Sequence, residues 1–152
     1  MSTPEERLAE LGLEVPAVVP PLAAYVPAVS HGGLVFTAGQ LPARDGRMLA
    51  TGKVGAEVTP EEAYACARQC ALNALAAIKA EIGELSAITR VVKAVVFVAS
   101  APDFSGQPAV ANGASELLGE VFGDVGRHAR SAVGVSALPL DVPVEVELIV
   151  AV

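Results

Sequence analysis

Tryptophan is absent from this chain, and aromatic residues of all kinds make up 4% of it. Two histidines, two cysteines, and ten lysines and arginines stand against seventeen carboxylates, a net charge of −7 over 152 residues. Each shortage argues against a class of function. A nucleic-acid surface needs a basic stripe, and single-strand binders add aromatic platforms for the bases; the sequence shows neither. With His31 and His128 alone, a metal centre or a histidine-based triad is not expected. Cys66 and Cys70 are four residues apart, on one face of a predicted helix, with no second Cys or His pair to complete a metal site. They read as small buried hydrophobes rather than a disulfide. No apolar run reaches the about 18 residues of a membrane span, and MSTPEERLAE lacks the basic and apolar regions of a secretory leader. A cytoplasmic protein without membrane or nucleic-acid partners is expected. There is no G-x-G-x-x-G after a strand, no P-loop, no H-E-x-x-H and no G-x-S-x-G.

What the chain has in excess is apolar material. Hydrophobic residues are 53% of it and charged residues 18%. One domain of this length fills a core with some to spare, and burial between identical copies is the usual outlet for a surplus. Thr3-Pro4-Glu5-Glu6 and Thr59-Pro60-Glu61-Glu62 each open a helix with a hydroxyl cap, a first-turn proline and a glutamate three residues on. The first helix should run to about Leu11 and the second to about Ile82, with glycines behind both. Val15 to Ala24 is proline-rich and reads as an arm across the surface. Tyr25–Ser30 and Leu34–Ala38 read as strands around the turn His31-Gly32-Gly33. Arg44-Asp45-Gly46-Arg47 is a turn, Arg90–Ala99 a buried β-branched strand, and roughly Gln107–Phe122 a helix whose early part is weakened by Pro108 and Asn112-Gly113. The order predicts an α+β domain with two main helices on one face of a mixed or antiparallel sheet.

The chemistry concentrates near the C-terminus, in HARSAVGVSALPLDVPVEVELIVAV. Side chains alternate along a strand. Arg130 therefore shares a face with the small residues Ala132, Gly134 and Ser136, which leaves room for a ligand, and a guanidinium suits a carboxylate. Glu145 and Glu147 share a face opposite Val144, Val146 and Leu148. A carboxylate in an apolar strand has its pKa raised by desolvation, as general acid–base work requires. The same residues could equally form a structural ion pair or face solvent, and Gly39 could serve a bend or a close approach.

Arg130-Ser131, Leu138-Pro139 and Val144-Glu145-Val146-Glu147 resemble the C-terminal signature of the Rid family, also called YjgF, the reactive intermediate deaminases. Ala38-Gly39-Gln40-Leu41-Pro42 is similar to that family's Ser/Ala-Gly-Gln-hydrophobic-Pro motif. The resemblance runs from about Tyr25 to Val152 and implies a chorismate-mutase-like fold, a homotrimer with pockets between subunits, and no cofactor or metal. It implies hydrolysis of 2-imino or enamine acids to 2-keto acids and ammonia. Arg130 would hold the carboxylate. Glu145 would act on the water, helped by the Ala132 carbonyl. Tyr25, Gly39 and Asn112 would line the pocket. The family's endoribonuclease label sits poorly with the acidic charge. Four features depart from the pattern: Ala38 stands where active members often have serine, His128 where many have proline, Thr3–Ala24 is an addition, and the insertion-like stretch Ser105–Ala109 differs. His128 would place a titratable group near the ligand.

Overall fold

The structure, a computed structural model, describes residues 1–18 and 23–152. The arm expected over Val15–Ala24 lies partly outside the described residues. Helix α1 (Pro4–Glu10) opens with the capping box read from the sequence, Thr3 accepting from the Glu6 N–H and Glu6 from the Thr3 N–H. It is fastened to the body of the protein: Leu8 is fully buried, Arg7 donates to the Val121 carbonyl, and Glu5 accepts from Lys79 and the Leu85 N–H. Helix α2 (Pro60–Ile82) starts at the Thr59 cap and stops at Gly83, whose φ of 92° is a glycine conformation.

Strands β1 (Ala28–His31) and β2 (Leu34–Thr37) form a hairpin closed by Gly32 and Gly33, both at positive φ, the two-residue turn whose twist matches its strands. The expected first strand is shorter than read, because the chain bends through Tyr25–Pro27. The short strands β3 (Ala43–Arg44) and β4 (Arg47–Met48) make a second hairpin on Asp45-Gly46. Next come β5 (Arg90–Ala99), α3 (Gln107–Phe122), β6 (Ala129–Val135) and β7 (Val144–Ala151).

The main sheet has the order β1-β2-β7-β5-β6. Only β5 and β6 pair in parallel, and α3 is their crossover. Val144, Val146, Leu148 and Val150 of β7 and Ala94, Val96 and Val98 of β5 join the buried faces of α2 and α3 in one core. Both long helices therefore cover the same face. The other face carries Val29, Phe36 and Val133, all exposed, beside Val95, Phe97, Ile149, Glu145 and Glu147.

The helix expected over Gln107–Phe122 is present with those bounds. α3 runs unbroken through Asn112-Gly113, and the glycine there is a packing device. A Cβ on Gly113 would lie 2.1 Å from the Tyr64 carbonyl oxygen of α2. Gly113→Ala should gain roughly 1 kcal/mol of helix propensity and lose about 1–3 kcal/mol to overpacking against backbone. A lowered melting temperature is the expected result; a raised one would mean that α2 and α3 can separate.

Candidate functional site

The predicted residues fall into two groups. The first is built on β7 and the loop after β2. Gln40 pairs with Val146 through N–H···O bonds of 2.8 and 3.0 Å in the two directions, which lays the loop against the start of β7. Gly39 is thereby pressed onto Glu145, where a Cβ would sit 2.3 Å from Oε2. Close approach to that carboxylate, rather than a positive φ, accounts for the glycine. Beside it, the Ala38 N–H donates to the Pro27 carbonyl and the Ala38 carbonyl accepts from Gln40 Nε2. Glu145 is half-buried. Burial pushes its pKa above the ordinary carboxylate range, and the neighbouring Glu147 adds to the rise. Tyr25, 59% exposed, lines a cavity with Gly39, Gln40, Met48 and Gln69.

The second group lies along the edge strand β6. Arg130 pairs with Ala94, a core residue, so its side chain points to the helix face. There its Nη1 donates to Asn112 Oδ1 at 2.8 Å and to Ser115 Oγ at 3.2 Å. Both Nη1 hydrogens are spent on α3, while Nε and Nη2 have no partner among the described residues. No ion pair among the described residues includes Arg130. His128 continues the network. Its Nδ1 lies 2.6 Å from the Gly126 carbonyl, which only accepts, so Nδ1 carries the hydrogen. In the neutral ring Nε2 then accepts from the Ser115 hydroxyl, 2.9 Å away. Ser115, Arg127, His128 and Arg130 line an open cleft in which no carboxylate takes part.

Sequence reading missed Ser115. The signal was there: it lies three residues after Asn112, on the same helical face. Space does lie beside these residues: Arg130 lines the open cleft just described, and Gly134 and Ser136 line another of about 580 Å³ with Ser100 and Gln107. Ala132 packs against the core, and a Cβ on Gly134 would meet Gln107 Nε2 at 2.8 Å, so the small residues also make room for the start of α3. Val135 turns its carbonyl toward Ser100 beyond β5, so alternation leaves the Ala132 N–H and C=O on the free edge of β6.

Within one chain the two groups do not meet. Glu145 pairs with Phe97 and leaves by the uncovered face; Arg130 leaves by the helix face, two strands away. The structural ion pair that the sequence left open is not formed.

The fold and these motifs match a known family. The family model described as "YjgF/chorismate_mutase-like, putative endoribonuclease" covers residues 5–151. The chain belongs to the YjgF, or Rid, family. Protein TCP17 of Trypanosoma cruzi is 46% identical over 145 residues, 95% of this chain and 91% of that protein. A RutC family protein of Haemophilus influenzae is 37% identical over 136 residues, 90% of each. The crystal structure of an Agrobacterium tumefaciens protein of unknown function superposes with a TM-score of 0.92 at 44% identity, covering 99% of this chain and 92% of that one.

The Glu145 carboxyl offers a direct check on the first group. Its raised pKa means that it ionises at higher pH than a glutamate in the unfolded chain, and the fold loses some stability as the pH rises through that interval. Glu147→Gln removes the like charge and should lower the Glu145 pKa without restoring an ordinary value, because burial is the larger cause. Carbon-detected NMR titration of the side-chain carboxyls reads the shift; no change would mean that the two glutamates are screened from each other.

Proposed function

We propose that the protein is a hydrolytic deaminase of small 2-imino or enamine acids, releasing 2-keto acids and ammonia. Its site is completed between copies in a homotrimer. The observation that carries this reading is the division of the site into two open halves of complementary chemistry. One half presents an Arg130 guanidinium with Nε and Nη2 uncommitted. The other presents a half-buried carboxyl whose pKa is raised. A second copy on the exposed apolar face of the sheet would bury Val29, Phe36 and Val133. It would also bring one copy's β6 edge to another's Gly39 and Glu145.

A 2-imino acid carries a carboxylate beside an electrophilic C=N carbon. The free edge of Arg130 takes the carboxylate as a bidentate partner, held in aim by Asn112 directly and by His128 through Ser115. The ionised Glu145 accepts a proton from a water whose oxygen adds to the carbon of the protonated imine, the C=N π electrons passing to nitrogen, which gives a neutral tetrahedral aminoalcohol. Glu145 then passes its proton to the amine. The C–N bond breaks as the hydroxyl oxygen forms the C=O, and the departing ammonia takes up the hydroxyl proton and leaves as ammonium. The Ala132 carbonyl on the open edge orients the water; Tyr25 and Gly39 wall the site. Such imines hydrolyse slowly unaided, so positioning plus one proton-transfer group, worth about 10²–10⁴-fold, is sufficient catalysis. No cofactor or metal enters.

A second reading, a trimer that binds small carboxylates without turning them over, is favoured by Ala38, which lacks the hydroxyl that active relatives often offer a substrate. The two readings part on one pair of variants. With 2-aminoacrylate or 2-iminobutanoate generated in place, Glu145→Gln should lose about 10²–10⁴-fold in rate yet still bind 2-oxobutanoate. Arg130→Ala should lose both. Binding with no turnover by the unaltered protein would select the second reading.

Assembly is tested separately. Val133→Glu places a charge on the uncovered face without touching the core, and should give a folded monomer by light scattering that has lost activity. A folded, active monomer would show that one chain suffices.

A further inference from the structure

Behind Gly39 the chain encloses a cavity of about 340 Å³, a size suited to a small ligand. Pro27, Leu41, Met48 and Ala76 give it apolar walls, Gln40 and Asn73 add polar ones, and the charged Arg44 and Asp45 line it from the exposed hairpin tip. Its buried polar feature is Gln69 of α2, 7% exposed on a helix otherwise buried through alanines, cysteines and leucines.

The orientation of the Gln69 amide follows from its neighbour. Asn73 Nδ2 donates to the Leu41 and Ala43 carbonyls, each at 2.9 Å, which uses both amide hydrogens. Asn73 Oδ1 therefore accepts, and Gln69 Nε2 donates to it at 3.0 Å. Gln69 Oε1 and the second Nε2 hydrogen are left without a protein partner among the described residues. No side-chain polar atom is sealed off unsatisfied, so the free Oε1 opens onto the space that its side chain lines. A buried amide that offers one acceptor and one donor side by side suits a group with the same pair reversed, a carboxamide. A charged tip would have to shed its water against a neutral partner.

We propose that this cavity is a specificity pocket for the far end of the bound acid, taking a short apolar chain that ends in a carboxamide, with Gln69 as the residue that reads the tip. The placement of the acid's carboxylate rests on the reading given under Proposed function, since Gly39 and Tyr25 wall both the cavity and that site.

The test is calorimetric binding of butanoate, hexanoate, glutarate and glutaramate to the full chain. Glutaramate should bind tightest, ahead of hexanoate by about fivefold, the factor that one net hydrogen bond supplies, and glutarate weakest. Gln69→Leu should bring glutaramate level with hexanoate. Met48→Phe, outside the amide network, should fill the cavity and weaken both relative to butanoate. Affinities of all four acids within twofold of one another, a ranking that neither variant alters, or no binding of any acid would overturn the proposal. The deaminase reading fails independently: the ranking without imine turnover leaves the pocket standing, and turnover with a flat ranking does the reverse.

Discussion

Strand β7 is third of five in the sheet, held by β2 on one side and β5 on the other. Its valines and leucine are fully buried under the helices, so its register cannot slip by one residue without turning two glutamates into the core. That constraint sends Glu145 and Glu147 to the uncovered face side by side. It also fixes where the Gly39 loop must lie, because the loop pairs with the same strand. The raised pKa of Glu145 is a consequence of this packing: the loop that the strand anchors is what removes water from the carboxyl.

The other half of the site depends on α3. As the crossover between parallel strands, α3 must lie over the sheet, and Gly113 lets it settle onto α2. Asn112 and Ser115 then face β6, where Arg130 reaches them. The network from Gly126 through His128 and Ser115 to Arg130 contains no carboxylate, so it directs the cation without cancelling its charge. In a chain with few cations, this one is left unneutralised inside a built environment.

Much of this was readable beforehand. The helix starts at Thr3 and Thr59, the two-glycine hairpin, the alternation of Val144–Val150 and the burial of both cysteines follow from local rules, and the structure bears them out. Facing was readable only strand by strand. Parity told that Arg130 sits with Ala132 and Gly134, and Glu145 with Glu147. It could not tell that these faces lie on opposite sides of the sheet, because that depends on β6 pairing in parallel with β5 while β7 pairs antiparallel, a matter of long-range topology. The small residues of β6 carried two meanings for the same reason: room beside a strand looks alike in sequence whether an open cleft or a helix lies there, and here both do. Gln69 was hidden in an alanine-rich helix, where a single amide carries no pattern.

The departure of Arg130 and Glu145 by opposite faces has a genetic corollary in the proposed trimer. A chain that has lost the arginine keeps an intact glutamate half, and a chain that has lost the glutamate keeps an intact arginine half. Each allele would be defective alone, yet every trimer containing both would hold one junction where the two sound halves meet, whichever chain is in the majority. Two inactive genes expressed together could thus restore what neither encodes.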